Sequence, residues 1–119
     1  MLWIVLDEAV LQRLIGMPSV VWEQLHRMAQ AAGLPNVTLQ VLPFRKGAHS
    51  GMIGRFNILS FPDPVDPDVV HLESPTGADL YLDDTDQVHR YKALFERLQA
   101  VALTPDDSST LLARLAEKL

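Results

Sequence analysis

Four histidines, fifteen carboxylates and no cysteine are the material from which this sequence could build a reaction centre. His71 and Glu73 stand two apart in the segment VVHLE that starts at Val69. Strand spacing sends both side chains off one face. Two such groups begin a metal site, but zinc takes three or four ligands. No second histidine-rich cluster completes the set, so no metal is expected. His49 lies beside Ser50 within Gly47-Ala48-His49-Ser50-Gly51. A nucleophile and its base must face each other, which sequence neighbours rarely do, so His49 is read as a loop contact. The spacing of Gly47, Gly51 and Gly54 fits neither the dinucleotide fingerprint nor the phosphate loop. Asp7-Glu8 follow an apolar run, where a carboxylate serves as a helix cap. His26 and His89 fall off the apolar stripes of their helices and are read as surface residues. No catalytic residue, no metal and no cofactor is assigned. The candidates for contact with a ligand or partner are His49, Gln40, Phe44, His71, Glu73 and Glu8. The favoured surface is the 44–54 loop with the exposed face of the 69–73 strand.

The charge balance narrows the partners. The net charge is −5, and of ten lysines and arginines only Arg45-Lys46 are adjacent. Nucleic-acid affinity rests on neutralising phosphates with a basic stripe, and none is visible, so direct nucleic-acid binding is not expected. The opening run Met1 to Leu6 is far shorter than the ~20 residues of a membrane span, and it lacks the basic flank of a signal peptide. With no thiol to protect or pair, the expectation is a soluble, cytoplasmic protein without membrane contact. At 119 residues the chain suits one domain, residues 1–119.

Patterning supplies the elements that must hold these groups. Leu2 to Leu6 is a continuous apolar run of strand character, and Asp7 caps a short turn that ends near Gly16. Ser19 to Ala32 predicts a helix: Val21, Leu25, Met28 and Ala32 recur at helical spacing, Ser19 is the expected cap, and Gly33 with Pro35 ends the run. Val37 to Leu42 alternates and predicts a half-buried strand. Phe56 to Phe61, Val69 to Glu73 and Leu80 to Leu82 are further strands, separated by the proline-stiffened 62–67 loop and the 74–79 turn. Asp84 with Gln87 forms a capping box for a helix that buries Val88, Tyr91, Leu94, Phe95, Leu98 and Val101. Thr104-Pro105 starts another, striped by Leu111, Leu112, Leu115 and Leu119. Strands joined by short turns pair antiparallel. The expected fold is α+β, a mostly antiparallel sheet of about five strands backed by helices, with two C-terminal helices.

Several strings carry more than composition. Val5 to Ala9, Leu34 to Phe44, Gly47 to His49, Phe61 to Pro64, Val69 to Glu73 and Leu80 to Asp84 together resemble the DUF5753 domain of actinobacteria, along nearly the whole chain from Trp3 to about Leu115. The 34–44 and 80–84 runs are the most specific. The resemblance implies antitoxin-like transcriptional regulation. In such proteins the domain follows an Xre-type helix-turn-helix, and a small DUF397 protein encoded nearby is the implied partner. This sequence has no helix-turn-helix upstream and lacks the family's N-terminal helical portion, so a shortened chain or a stand-alone protein is expected. The run Gln12 to Gly16 also lacks the proline expected before that glycine. The family supplies no catalytic residue to carry over. The expected function is a regulatory module that binds a DUF397-type protein or a small-molecule ligand. The alternative is a small stand-alone enzyme or helper protein of a natural-product pathway. It would use a pocket between sheet and helices, with His49, Glu8 or Glu73 in acid–base roles. A homodimer through an uncovered strand edge or the last helix is compatible with either.

Overall fold

The computed structural model describes residues 1–12, 18–43, 55–74 and 76–117. In chain order these form β1 (Leu2–Asp7), α1 (Glu8–Gln12), α2 (Pro18–Ala32), β2 (Val37–Leu42), β3 (Phe56–Leu59), β4 (Val69–Leu72), β5 (Leu80–Leu82), α3 (Thr85–Val101) and α4 (Pro105–Glu117). They divide into two compact units, one of Met1–Gly47 with Gln99–Leu119 and the other of Ala48–Leu98. Helix and strand are mixed, and the chain closes with two helices, as expected. No described helix is long and apolar enough to cross a membrane.

The single five-stranded sheet is not formed. β1 pairs with β2 in parallel, with Leu2 opposite Val37 and Asp7 opposite Leu42. β3, β4 and β5 form a separate antiparallel sheet in that order. The physical reason lies in the connections. α1 and α2 stand between β1 and β2 and provide the long crossover that a parallel pair requires, whereas short turns join the last three strands as a meander.

In the first unit, Asp7 Oδ1 accepts a hydrogen bond from Ala9 N–H at 2.8 Å, so the carboxylate does cap α1. α2 starts at Pro18, one residue ahead of the expected cap Ser19. Its stripe packs as the spacing requires. Leu25 joins Leu11, Leu39, Val41 and Leu112 in the buried cluster, with Val21, Met28 and Ala32 against it. α4 contributes Leu112, flanked by Leu111 and Leu115.

β2 departs from its half-buried reading: Leu39, Gln40, Val41 and Leu42 are all buried, so both faces are covered. This is the usual lot of a parallel strand. Its outer edge is covered as well. Val41 N–H donates to Ser108 Oγ at 2.8 Å, and Val41 C=O accepts from Leu103 N–H at 2.9 Å. The α3–α4 connection and the first turn of α4 thus occupy both outward groups of Val41, which a further strand would use.

The second unit places α3 with the meander. Asp84 Oδ2 accepts from Gln87 N–H at 3.1 Å, so the cap reading of Asp84 holds. Val88, Leu94 and Leu98 are buried along α3, while Val101 at its end is exposed rather than buried. The turn before β5 closes with Gly77 N–H donating to Ser74 C=O at 3.0 Å. Gly77 has φ 83°, a left-handed conformation that glycine adopts without a Cβ penalty.

Candidate functional site

Alternation along the meander sorts its side chains into two faces. Phe56, Ile58, Val70 and Leu72 lie on one, where Val70 is fully buried and Phe56 meets Tyr91 of α3 edge to face, ring centroids 5.2 Å apart. The opposite face carries polar and aromatic groups. Register places Asn57, His71 and Tyr81 side by side across β3, β4 and β5, with Arg55, Leu59, Glu73 and Asp79 at the same parity around them.

His71 is the hub of this face. Its Nε2 lies 3.0 Å from Asp79 Oδ2, and its Nδ1 lies 3.1 Å from Asn57 Nδ2. A carboxylate only accepts and an amide nitrogen only donates. The neutral tautomer that satisfies both carries its proton on Nε2, donated to Asp79, and accepts at Nδ1 from Asn57. Tyr81 stacks on the imidazole, centroids 4.9 Å apart and planes 28° apart. Ser74 N–H donates to Asp79 Oδ1 at 3.2 Å, which ties the carboxylate to the turn. Arg55 forms an ion pair with Glu73. Both ring nitrogens are therefore engaged by groups that fix the imidazole. These contacts hold the ring in place beneath Tyr81.

The hydrogen bond from His71, with a second from the Ser74 amide, holds the Asp79 carboxyl below its ordinary value. A hydrogen bond from Lys92 does the same for Asp68 in this unit. A carboxyl with a depressed native pKa stabilises the fold above its unfolded value and loses that contribution as pH falls through the native value. From about pH 5 downward the wild type should therefore lose stability more steeply than Asp79→Asn. Thermal midpoints across an acid series check this, and parallel acid profiles would show that Asp79 carries no such linkage.

The sequence candidates separate. His71 and Glu73 share the polar face of the second unit, as their spacing required. Gln40 and Glu8 belong to the first unit. Gln40 is buried, with both amide hydrogens donated, to Gln99 C=O at 3.2 Å and Leu103 C=O at 3.0 Å, and its Oε1 accepting from Trp3 Nε1 at 2.8 Å. Glu8 opens α1 and is half-buried. His49 and Phe44 lie outside the described residues. Among those described, no group of three or more histidines and carboxylates is placed to hold a metal ion. Asn57, Asp79, Tyr81 and Arg55 were not singled out by the sequence. Only strand register aligns the first three with His71, although the odd-numbered spacing of Asn57 to Leu59 and of Asp79 to Tyr81 carries the same face signal as His71 to Glu73.

Comparison with known proteins gives one match. No curated protein and no solved structure matches the chain. The model of the family described as domain of unknown function (DUF5753) matches residues 1–114, nearly the full length. The chain therefore belongs to the DUF5753 family.

Proposed function

We propose that this chain is a regulatory binding module of antitoxin-like transcriptional control, and that it engages a small DUF397-type protein through the polar face of β3, β4 and β5. The observation that carries the reading is the Asn57–His71–Tyr81 row. Tyr81 is 63% exposed, yet its ring is already seated on an imidazole fixed from both sides. Aromatic and arginine side chains held in place before contact lose little entropy on binding and dominate interface energetics. Exposed Leu59 on the same face adds apolar area beside Tyr81, and the Arg55–Glu73 pair supplies a charged rim. The chain's acidic balance and scattered basic residues argue against DNA as the direct partner. His71–Asp79 is the feature an enzyme reading would draw on. Its occupied ring nitrogens favour contact over proton transfer.

Calorimetric titration of the full chain with the DUF397-type protein tests this. A saturable complex is expected, and Tyr81→Ala should weaken it about tenfold or more while circular dichroism stays native. No binding heat at about 100 μM, well above the range of specific complexes, would remove the partner. Equal affinity of wild type and Tyr81→Ala would remove this face as the contact.

A further inference from the structure

We propose that the open edge of β1 is completed by β1 of a second copy of this chain, antiparallel about a two-fold axis centred on Ile4. This inference rests on the first unit and is independent of the partner reading above.

The two edges of the β1–β2 pair are treated differently. At Val41 the outer edge of β2 is closed by Ser108 and Leu103, whereas among the described residues β1 has β2 as its one strand neighbour. Leu2 N–H donates to Asn36 C=O at 2.8 Å. Successive residues of a strand aim their amides at alternate edges, so Leu2, Ile4 and Leu6 face β2, and Trp3 and Val5 aim N–H and C=O outward. Edge strands are normally blunted by lysine, proline or a bulge, and the run Leu2 to Leu6 contains neither residue and no positive φ. Leu2, Trp3 and Ile4 are 53%, 42% and 37% exposed, although a parallel pair normally has both faces buried.

A second copy fits this edge on register, side chain and charge. A two-fold axis normal to the sheet keeps each face on its own side, so residues that meet must share parity. Centred on Ile4, the axis sets Trp3 against Val5 of the other copy. The outward amides of both then close four hydrogen bonds. Ile4 meets Ile4 and Leu2 meets Leu6 in the non-hydrogen-bonded positions, where side chains approach most closely. Every apolar residue of the strand faces an apolar residue. The one charge, Asp7, falls opposite Met1, so no like charges meet although each copy carries −5 overall. The overall repulsion is long-range and screened by salt, while no like charges meet at the contact itself, so association should strengthen with ionic strength. Strand pairing alone buries less than the ~1,600 Å² of a standard interface. A dissociation constant of roughly 10–500 μM is expected.

Sedimentation velocity over a concentration series tests the inference, with two cysteine variants to report the register, because the chain has no cysteine of its own. Wild type should shift from monomer to dimer, and Ile4→Lys, which sets two ammonium groups face to face, should remain monomeric with native circular dichroism. Under mild oxidation Ile4→Cys should crosslink to a dimer, since facing residues at these positions lie within disulfide reach. Leu2→Cys should not crosslink, because its equivalents would lie about four strand residues apart. A wild type that stays monomeric at about 1 mM, above the whole of the expected range of dissociation constants, would overturn the proposal. So would an Ile4→Lys dimer, or Leu2→Cys crosslinking as readily as Ile4→Cys.

Discussion

Leu112→Ala is expected to destabilise the first unit by about 3–5 kcal/mol. Leu112 is fully buried and sits in one cluster with Leu11, Leu25, Leu39 and Val41. It thereby joins α4 to α1, α2 and β2, elements far apart in sequence. Truncation removes the transfer free energy of three carbons and leaves a void. The lining cannot close that void easily, because Val41 is pinned through both its N–H and its C=O. That restraint on collapse places the expected cost in the upper part of the range for leucine truncations. Domains of this size are stable by about 5–15 kcal/mol, so the loss takes a large share of the total and should move the urea midpoint well below that of wild type. Both tryptophans, Trp3 and Trp22, lie in the first unit, so urea melts followed by their fluorescence report on it directly. A loss below about 1 kcal/mol would show that α4 is not seated on this core.

Much of that core was legible in the sequence, because helical spacing is a local signal. Val21, Leu25 and Met28 on α2, and Leu111, Leu112 and Leu115 on α4, pack where their periodicity put them. The caps at Asp7 and Asp84 are equally local and appear as read. The sheets were not legible, because strand partners are chosen by contacts remote in the chain. β2 is fixed by bonds from Gln40 and Val41 to residues 59 to 67 positions away, and no alternation pattern within Val37 to Leu42 encodes those. The polar face shows the same divide. His71 and Glu73 share a side because two is the period of a strand, but Asn57, Asp79 and Tyr81 join them only once β3 and β5 take up register with β4. Gln40 is the sharpest case. A glutamine between Leu39 and Val41 reads as outward, and only the carbonyls of Gln99 and Leu103 explain why it is buried.

That environment makes Gln40 the second large effect. Helices end with carbonyls that have no intrahelical partner. Gln40 Nε2 serves one of these, on Gln99 in the last turn of α3, and the carbonyl of Leu103 in the connection to α4, while Oε1 receives Trp3 Nε1–H from β1. One side chain thus ties β1, β2 and the entry to α4 together. Gln40→Ala removes all three bonds and opens a void. At about 1–3 kcal/mol for each buried group left unpaired, reduced by the non-additivity of shared partners, a loss of about 3–5 kcal/mol is expected. Gln40→Leu separates the contributions, since it fills most of the volume and restores none of the bonds. It should recover only about 1 kcal/mol of the loss. Trp3→Phe removes the indole donor alone and should cost about 1–2 kcal/mol in wild type. In the Gln40→Leu background it should cost less, because the bond is already gone, with a coupling of about 1 kcal/mol in a double-mutant cycle. Urea melts of the four proteins supply the cycle. If Gln40→Leu proved as stable as wild type yet weakened partner binding, Gln40 would be a contact residue, and the bonds of Val41 to Leu103 and Ser108 would be what seats the entry to α4 on β2.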